Sequence, residues 1–98
     1  MERNKRILEI NNVLRDYFAK YPKSGMILAK EFMPLFIEKS IFNKDYRDGL
    51  PIRKVLRELD DEDLLDKIPY VHVERKTKNA NWYFRPLCLL FVIFSVIF

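Results

Sequence analysis

Cysteine, glycine and histidine are almost missing from this 98-residue chain, which has one Cys, two Gly and one His. A lone cysteine, Cys88, excludes an internal disulfide and any zinc cluster built on two to four thiolates. It stands among Leu87, Leu89 and Leu90, an apolar setting in which a thiol is inert. With only Gly25 and Gly49, no loop can cradle a phosphate on successive backbone amides. No G-x-G-x-x-G, Walker, G-x-S-x-G or H-E-x-x-H pattern occurs either. His72 has no second His or Cys near it in sequence and falls in a strand-like stretch, so it reads as structural or surface. The carboxylates lack the spacing and central glycine of a calcium loop. These gaps together predict a protein that is not an enzyme, with no cofactor and no metal.

What is present is the material of a globule. Hydrophobic residues make up 49% and charged residues 33%, a balance outside the disordered range. The length suits one domain with a modest core. The net charge of +4 is unevenly spread. Residues 1–57 hold 13 Lys/Arg against 7 Asp/Glu, whereas residues 58–66 (ELDDEDLLD) hold six acids and no base. Residues 67–98 hold five bases and one acid. A basic balance is compatible with nucleic acid or an anionic membrane surface. The first residues, MERNKRILEINN, lack the apolar run and cleavage site of a signal peptide, and a cytoplasmic location is the expectation.

Along the chain, Arg3 to Tyr21 reads as a helix with Ile7, Ile10, Val13, Leu14, Tyr17 and Phe18 on one side. Pro22-Lys23-Ser24-Gly25 ends it. Met26 to Phe42 is strongly apolar and carries Pro34, which inside a helix costs about 3 kcal/mol. That predicts either a kinked helix or two short helical pieces meeting near Met33. Met26 to Leu28 is alternatively a short strand that pairs with a later hairpin. Asn43 to Gly49 is a polar loop.

The most informative stretch runs from Asp48 to Pro86. Ile52, Val55, Leu56 and Leu59 recur at helical spacing and bury one face of a helix over Leu50 to Leu59. Pro51 suits its first turn. Arg53, Lys54 and Arg57 stand on the opposite face. Leu64, Leu65 and Ile68 punctuate the acidic run and are expected under that helix. Tyr70 to Lys76 and Asn81 to Arg85 are rich in Val, Tyr, Trp and Phe, as strands are. Thr77-Lys78-Asn79-Ala80 forms the tip between them. In the second strand Trp82 and Phe84 share one face, and Asn81, Tyr83 and Arg85 share the other. The three aromatics in a row also suggest a stacking platform for single strands beside Arg75 and Arg85, although an aromatic cluster on a hairpin more often anchors it to a core.

A basic-faced helix followed by a basic-tipped hairpin resembles the second half of a winged helix-turn-helix, and the element order over residues 3–86 is similar to that superfamily. The resemblance implies an α+β fold: a small winged-helix-like domain (1–86) of three helices plus a C-terminal β-hairpin, followed by an apolar C-terminal segment (87–98). It implies double-stranded DNA as partner and a homo-oligomer, a dimer, as the binding form. Arg53, Lys54 and Arg57 would then enter the groove, with Arg75, Lys76, Lys78 and Asn79, and beside them Asn81, on the phosphates or a minor groove. Pro34 and the acidic run Glu58, Asp60, Asp61, Glu62, Asp63 and Asp66 depart from the pattern. Those six charges repel phosphate unless they face away from it or pair with cations such as those of the first helix.

Leu87 to Phe98 (LCLLFVIFSVIF) has eleven apolar residues, one serine and no charge. As a helix it would reach about 18 Å, short of the ~30 Å hydrocarbon core. A core element, an element shared in an oligomer and a membrane-inserting tail all remain open. Two further functional expectations follow. One is a protein-interaction module using the acidic run and the apolar segment. The other is a membrane-associated protein held through Leu87 to Phe98, with Arg75, Lys76, Lys78 and Arg85 against anionic lipid.

Overall fold

Ile7, Ile10, Val13, Leu14 and Phe18 all turn inward from the first helix, α1 (Arg3–Lys20), so its helical periodicity becomes a single buried stripe. The structure is a computed structural model that describes residues 2–77 and 79–87. Glu2 caps α1 by accepting from the Lys5 N–H at 3.2 Å. Tyr21 caps the helix end and Pro22 follows it.

Ile27–Leu28 then forms a two-residue strand, β1, and Ala29–Phe32 a turn of 3₁₀ helix that leads into α2 (Met33–Glu38). Of the alternatives for this stretch, the strand and the two helical pieces meeting at Met33 both occur. Pro34 falls in the first turn of α2, where a missing N–H leaves no hydrogen bond unmade, so there is no kink. Ser40 ends α2 in the left-handed region at φ 62°, and the Ile41 N–H reaches back to the Phe36 carbonyl at 2.8 Å. That is a Schellman closure made without glycine.

The third helix, α3 (Leu50–Asp61), buries Ile52, Val55, Leu56 and Leu59. Its end repeats the same device: Asp63 lies at φ 60° and the Leu64 N–H bonds the Leu59 carbonyl at 2.7 Å. A short 3₁₀ turn (Leu65–Lys67) follows, and the Asn11 side chain donates to the Lys67 carbonyl at 2.9 Å, tying this connection to α1. Ile68 is fully buried, while Leu64 and Leu65 pack against the core from its edge.

The hairpin consists of β2 (Val71–Arg75) and β3 (Ala80–Phe84). Sheet order is β1-β3-β2 and every pairing is antiparallel, with Ile27 opposite Phe84 and Val71 opposite Phe84 on the other side. Trp82 and Phe84 face inward at 5% and 0% exposure. Phe84 meets Phe32 and Phe36 edge-on, with ring centroids 5.4 and 6.2 Å away. Such edge contacts suit aromatic quadrupoles and add to the apolar burial. The architecture is thus α+β: three helices and a small three-stranded antiparallel sheet around one aromatic-rich core. No helix among the described residues is long and apolar enough to cross a membrane. The apolar segment beyond Leu87 lies outside them.

Candidate nucleic-acid interface

The cationic face of α3 is set by what precedes the helix. Arg47, Asp48 and Gly49 all have positive φ (51°, 59° and 84°), which turns the chain sharply into the Leu50 N–H. The Asp45 side chain accepts from the Gly49 N–H at 3.0 Å, and Leu50 N–H bonds the Tyr46 carbonyl. A side chain on Gly49 would put its Cβ 2.4 Å from the Cβ of Lys30, so only glycine lets this turn lie against the 3₁₀ helix.

Arg53 is built into that turn. Its Nε donates to the Asp48 carbonyl at 3.2 Å and a terminal nitrogen donates to the Arg47 carbonyl. It is half-buried, on the flank of α3 and not on its outermost line, whereas Lys54 and Arg57 are exposed. Arg57, one turn after Arg53, shares its side of the helix. Neither Lys54 nor Arg57 has an ion pair among the described residues.

Between α3 and the hairpin runs a groove of about 490 Å³. Arg53 and Arg57 line it from the helix, Asn79, Asn81 and Tyr83 from the hairpin, Lys30 from the 3₁₀ helix and Asp48 from the turn before α3. Lys30 Nζ donates to Asp48 Oδ2 at 2.8 Å. That hydrogen bond and the ammonium charge hold the Asp48 carboxyl below its usual range, with Arg53 adding to the effect, and the same hydrogen bond and the carboxylate charge push Lys30 up. Glu74 gathers the outer face of the sheet, accepting from Asn81 Nδ2 at 3.1 Å and from the Tyr83 hydroxyl at 3.4 Å.

The structure separates the other sequence-derived candidates. Arg75 turns away from the tip and forks onto Asp60 of α3. Hydrogen bonding from Arg75 lowers the Asp60 pKa against the opposing effect of burial. Lys76 is exposed, and its backbone N–H closes the tip by donating to the Asn79 carbonyl at 2.8 Å. Lys78 lies outside the described residues. Trp82 and Phe84 are core, so no three-ring stacking platform forms; Tyr83 alone is half-exposed on the outer face. Beside it Arg85 Nη1 lies 2.8 Å from His72 Nδ1.

Known proteins offer no guide to this arrangement: the chain matches no family model, no curated protein and no solved structure.

The acidic run is partly absorbed by the fold. Glu62 pairs with Arg3 of the first helix at 2.6 Å, and Asp60 with Arg75. Glu58, Asp61, Asp63 and Asp66 are exposed. All but Asp66 cluster at the C-terminal end of α3 or just after it, while the cations occupy its first two turns. No group of three His, Cys, Asp or Glu among the described residues is placed to hold a metal.

Sequence reasoning missed Lys30 and Asp48. Their contact joins positions 18 residues apart across a loop, and no periodicity marks it. Only a pairing of β1 with β3 places residue 30 beside the hairpin.

Proposed function

We propose that this chain is a DNA-binding protein of the winged helix-turn-helix type, with α3 as its recognition helix and the β2–β3 tip as its wing. The carrying observation is that Arg53 and Arg57 of α3 and Asn79 and Asn81 of the hairpin open onto one groove. The element order α1-β1-α2-α3-β2-β3 is compatible with that resemblance. Recognition helices meet base edges with their N-terminal residues, and it is the N-terminal part of α3 that carries the cations. Lys54 and Arg57 supply the exposed contacts. Arg53 fixes the turn that aims the helix, and Lys76, Lys78 and Asn79 reach phosphate from the tip.

The test is fluorescence anisotropy of the whole chain against a random-sequence duplex, titrated from low to physiological salt. Neutralising about five phosphates gives a log–log salt slope of roughly −4 to −5. Charge reversal in a Lys54→Glu/Arg57→Glu variant is expected to remove binding while leaving the circular dichroism spectrum unchanged. Binding that survives in a folded variant sinks the assignment of α3.

A second reading rests on Glu58, Asp61, Asp63 and Asp66, which are exposed and have no ion pair among the described residues. They form an acidic surface suited to a basic protein partner. Failure to retain duplex even at low salt favours that reading.

A further inference from the structure

Arg6, on the first turns of α1, is a cation that the fold positions without pairing it. Its guanidinium carbon lies 5.1 Å from the centroid of the Phe42 ring, a stacking that holds a planar cation in place. Its Nε is sealed from solvent and has no hydrogen-bond partner among the described residues. Neither Arg6 nor Lys44 forms an ion pair among those residues. Buried donors in folded proteins nearly always meet an acceptor, so one left unpaired beside a cavity marks a place that favours an anion. Arg6, Ser40, Asn43, Lys44, Tyr46 and Pro51 line such a cavity, of about 320 Å³, between α1 and the loop from α2 to α3. No carboxylate is on its lining, and it shares no residue with the groove between α3 and the hairpin.

We propose that this pocket binds a phosphate monoester, with Arg6 and Lys44 on the phosphate and the organic group against Tyr46 and Pro51. Charge is the first argument. Two cations and no acid match a group that carries about −1.5 to −2 at pH 7, where a carboxylate carries half as much. The donors are the second. Besides the guanidinium and the ammonium, the Ser40 and Tyr46 hydroxyls and the Asn43 amide surround the same space, and a phosphoryl group presents several acceptor oxygens to meet them. All of these are side-chain donors, so the site needs none of the glycine-rich backbone that the chain lacks. Size is the third argument. The cavity falls at the lower end of the ~300–1,000 Å³ range of small-molecule pockets, which leaves room beyond the phosphate for an organic group. Tyr46, 47% exposed, offers a ring to cover it.

Nuclear magnetic resonance titration of the full chain at constant ionic strength tests the proposal, with phenyl phosphate as the probe. The expected result is a saturable shift confined to the Arg6 Nε–H and the backbone amides of residues 40–46. Arg6→Leu, whose side chain still covers Phe42, is expected to weaken binding at least ~10-fold, as loss of a charge-assisted hydrogen bond does. Lys44→Gln, at an exposed loop position, is expected to weaken it several-fold and stands alone should Arg6→Leu fail to fold. Lys20→Gln, at the far end of α1, is expected to change nothing. Affinity that survives both pocket substitutions overturns the proposal. Shifts that do not saturate, or that spread over Lys and Arg residues generally, overturn it as counter-ion screening. Inorganic phosphate binding as tightly as phenyl phosphate overturns it in favour of a site for the free ion. Dimethyl phosphate, a monoanionic diester, binding as tightly overturns it in favour of a nucleic-acid backbone contact.

Discussion

Arg75 of β2 closes both terminal nitrogens on the carboxylate of Asp60 in α3, Nη2 to Oδ1 at 2.7 Å and Nη1 to Oδ2 at 3.0 Å. The fork joins the hairpin to the helix beside it, and it occupies a cation that the proposed DNA-binding reading would place on phosphate. Asp60→Asn releases that cation. The expected outcome is several-fold tighter duplex binding with a salt slope steeper by about one. Both partners reach solvent, so the melting temperature is expected to move by no more than about 8 °C. An unchanged salt slope would show that Arg75 does not serve as a phosphate contact even when released.

Acid should weaken the fold through three such pairs. Hydrogen bonds from Lys30, Arg75 and Arg3 hold Asp48, Asp60 and Glu62 below their ordinary ranges. A depressed folded-state pKa gives stability that is fully present above the unfolded values, about 3.9 for Asp and 4.3 for Glu, and is lost as pH falls through the folded ones. The melting-temperature advantage of the native chain over Asp48→Asn/Asp60→Asn/Glu62→Gln is therefore expected to be constant near neutrality and to disappear in strong acid. An advantage that persists in strong acid would assign it to packing and not to charge.

Gly49→Ala meets two obstacles at once. The backbone sits at φ 84°, and the new methyl would lie 2.4 Å from Lys30 Cβ. Left-handed strain alone costs about 1 kcal/mol, and the overlap raises the loss to at least ~2 kcal/mol. Thermal denaturation is expected to show a fall of about 8 °C or more. Gly25→Ala has the strain, at φ 74°, without the overlap, and should cost less.

Replacement by glycine should help elsewhere. Ser40 and Asp63 hold the left-handed position that closes α2 and α3. Glycine occupies that conformation without a Cβ penalty, so Ser40→Gly and Asp63→Gly are each expected to stabilise by up to ~1 kcal/mol in a urea titration. A loss from either would mean that its side chain makes a contact worth more than the strain.

Those two positions also mark the limit of what sequence could reveal. Apolar spacing located α1 and the buried stripe of α3, since Ile52, Val55, Leu56 and Leu59 can share a side only on a helix. Trp82 and Phe84 were legible as one face of a strand for the same kind of reason. Helix ends were harder to place, because neither α2 nor α3 stops at a glycine. Pro34 offered two readings, and its position in the first turn follows from packing of Phe32 and Met33, which leaves no local trace. Within the candidate site, the cationic face of α3 was visible. The diversion of Arg53 to loop carbonyls and of Arg75 to Asp60 was not, because both depend on segments brought together only by the fold.

The strand order carries a consequence for how the molecule is made. β1 and β2 pair only with β3 among the described residues, so the middle of the described sheet is synthesised after both of its neighbours. Until Ala80–Phe84 has left the ribosome, β1 has no partner and the rings of Phe32 and Phe36 lack Phe84 across from them. The helices can form as they emerge, since their bonds are local, but the sheet must wait for its centre. A nascent chain halted within the hairpin tip would hold most of its core residues and have no sheet to close over them.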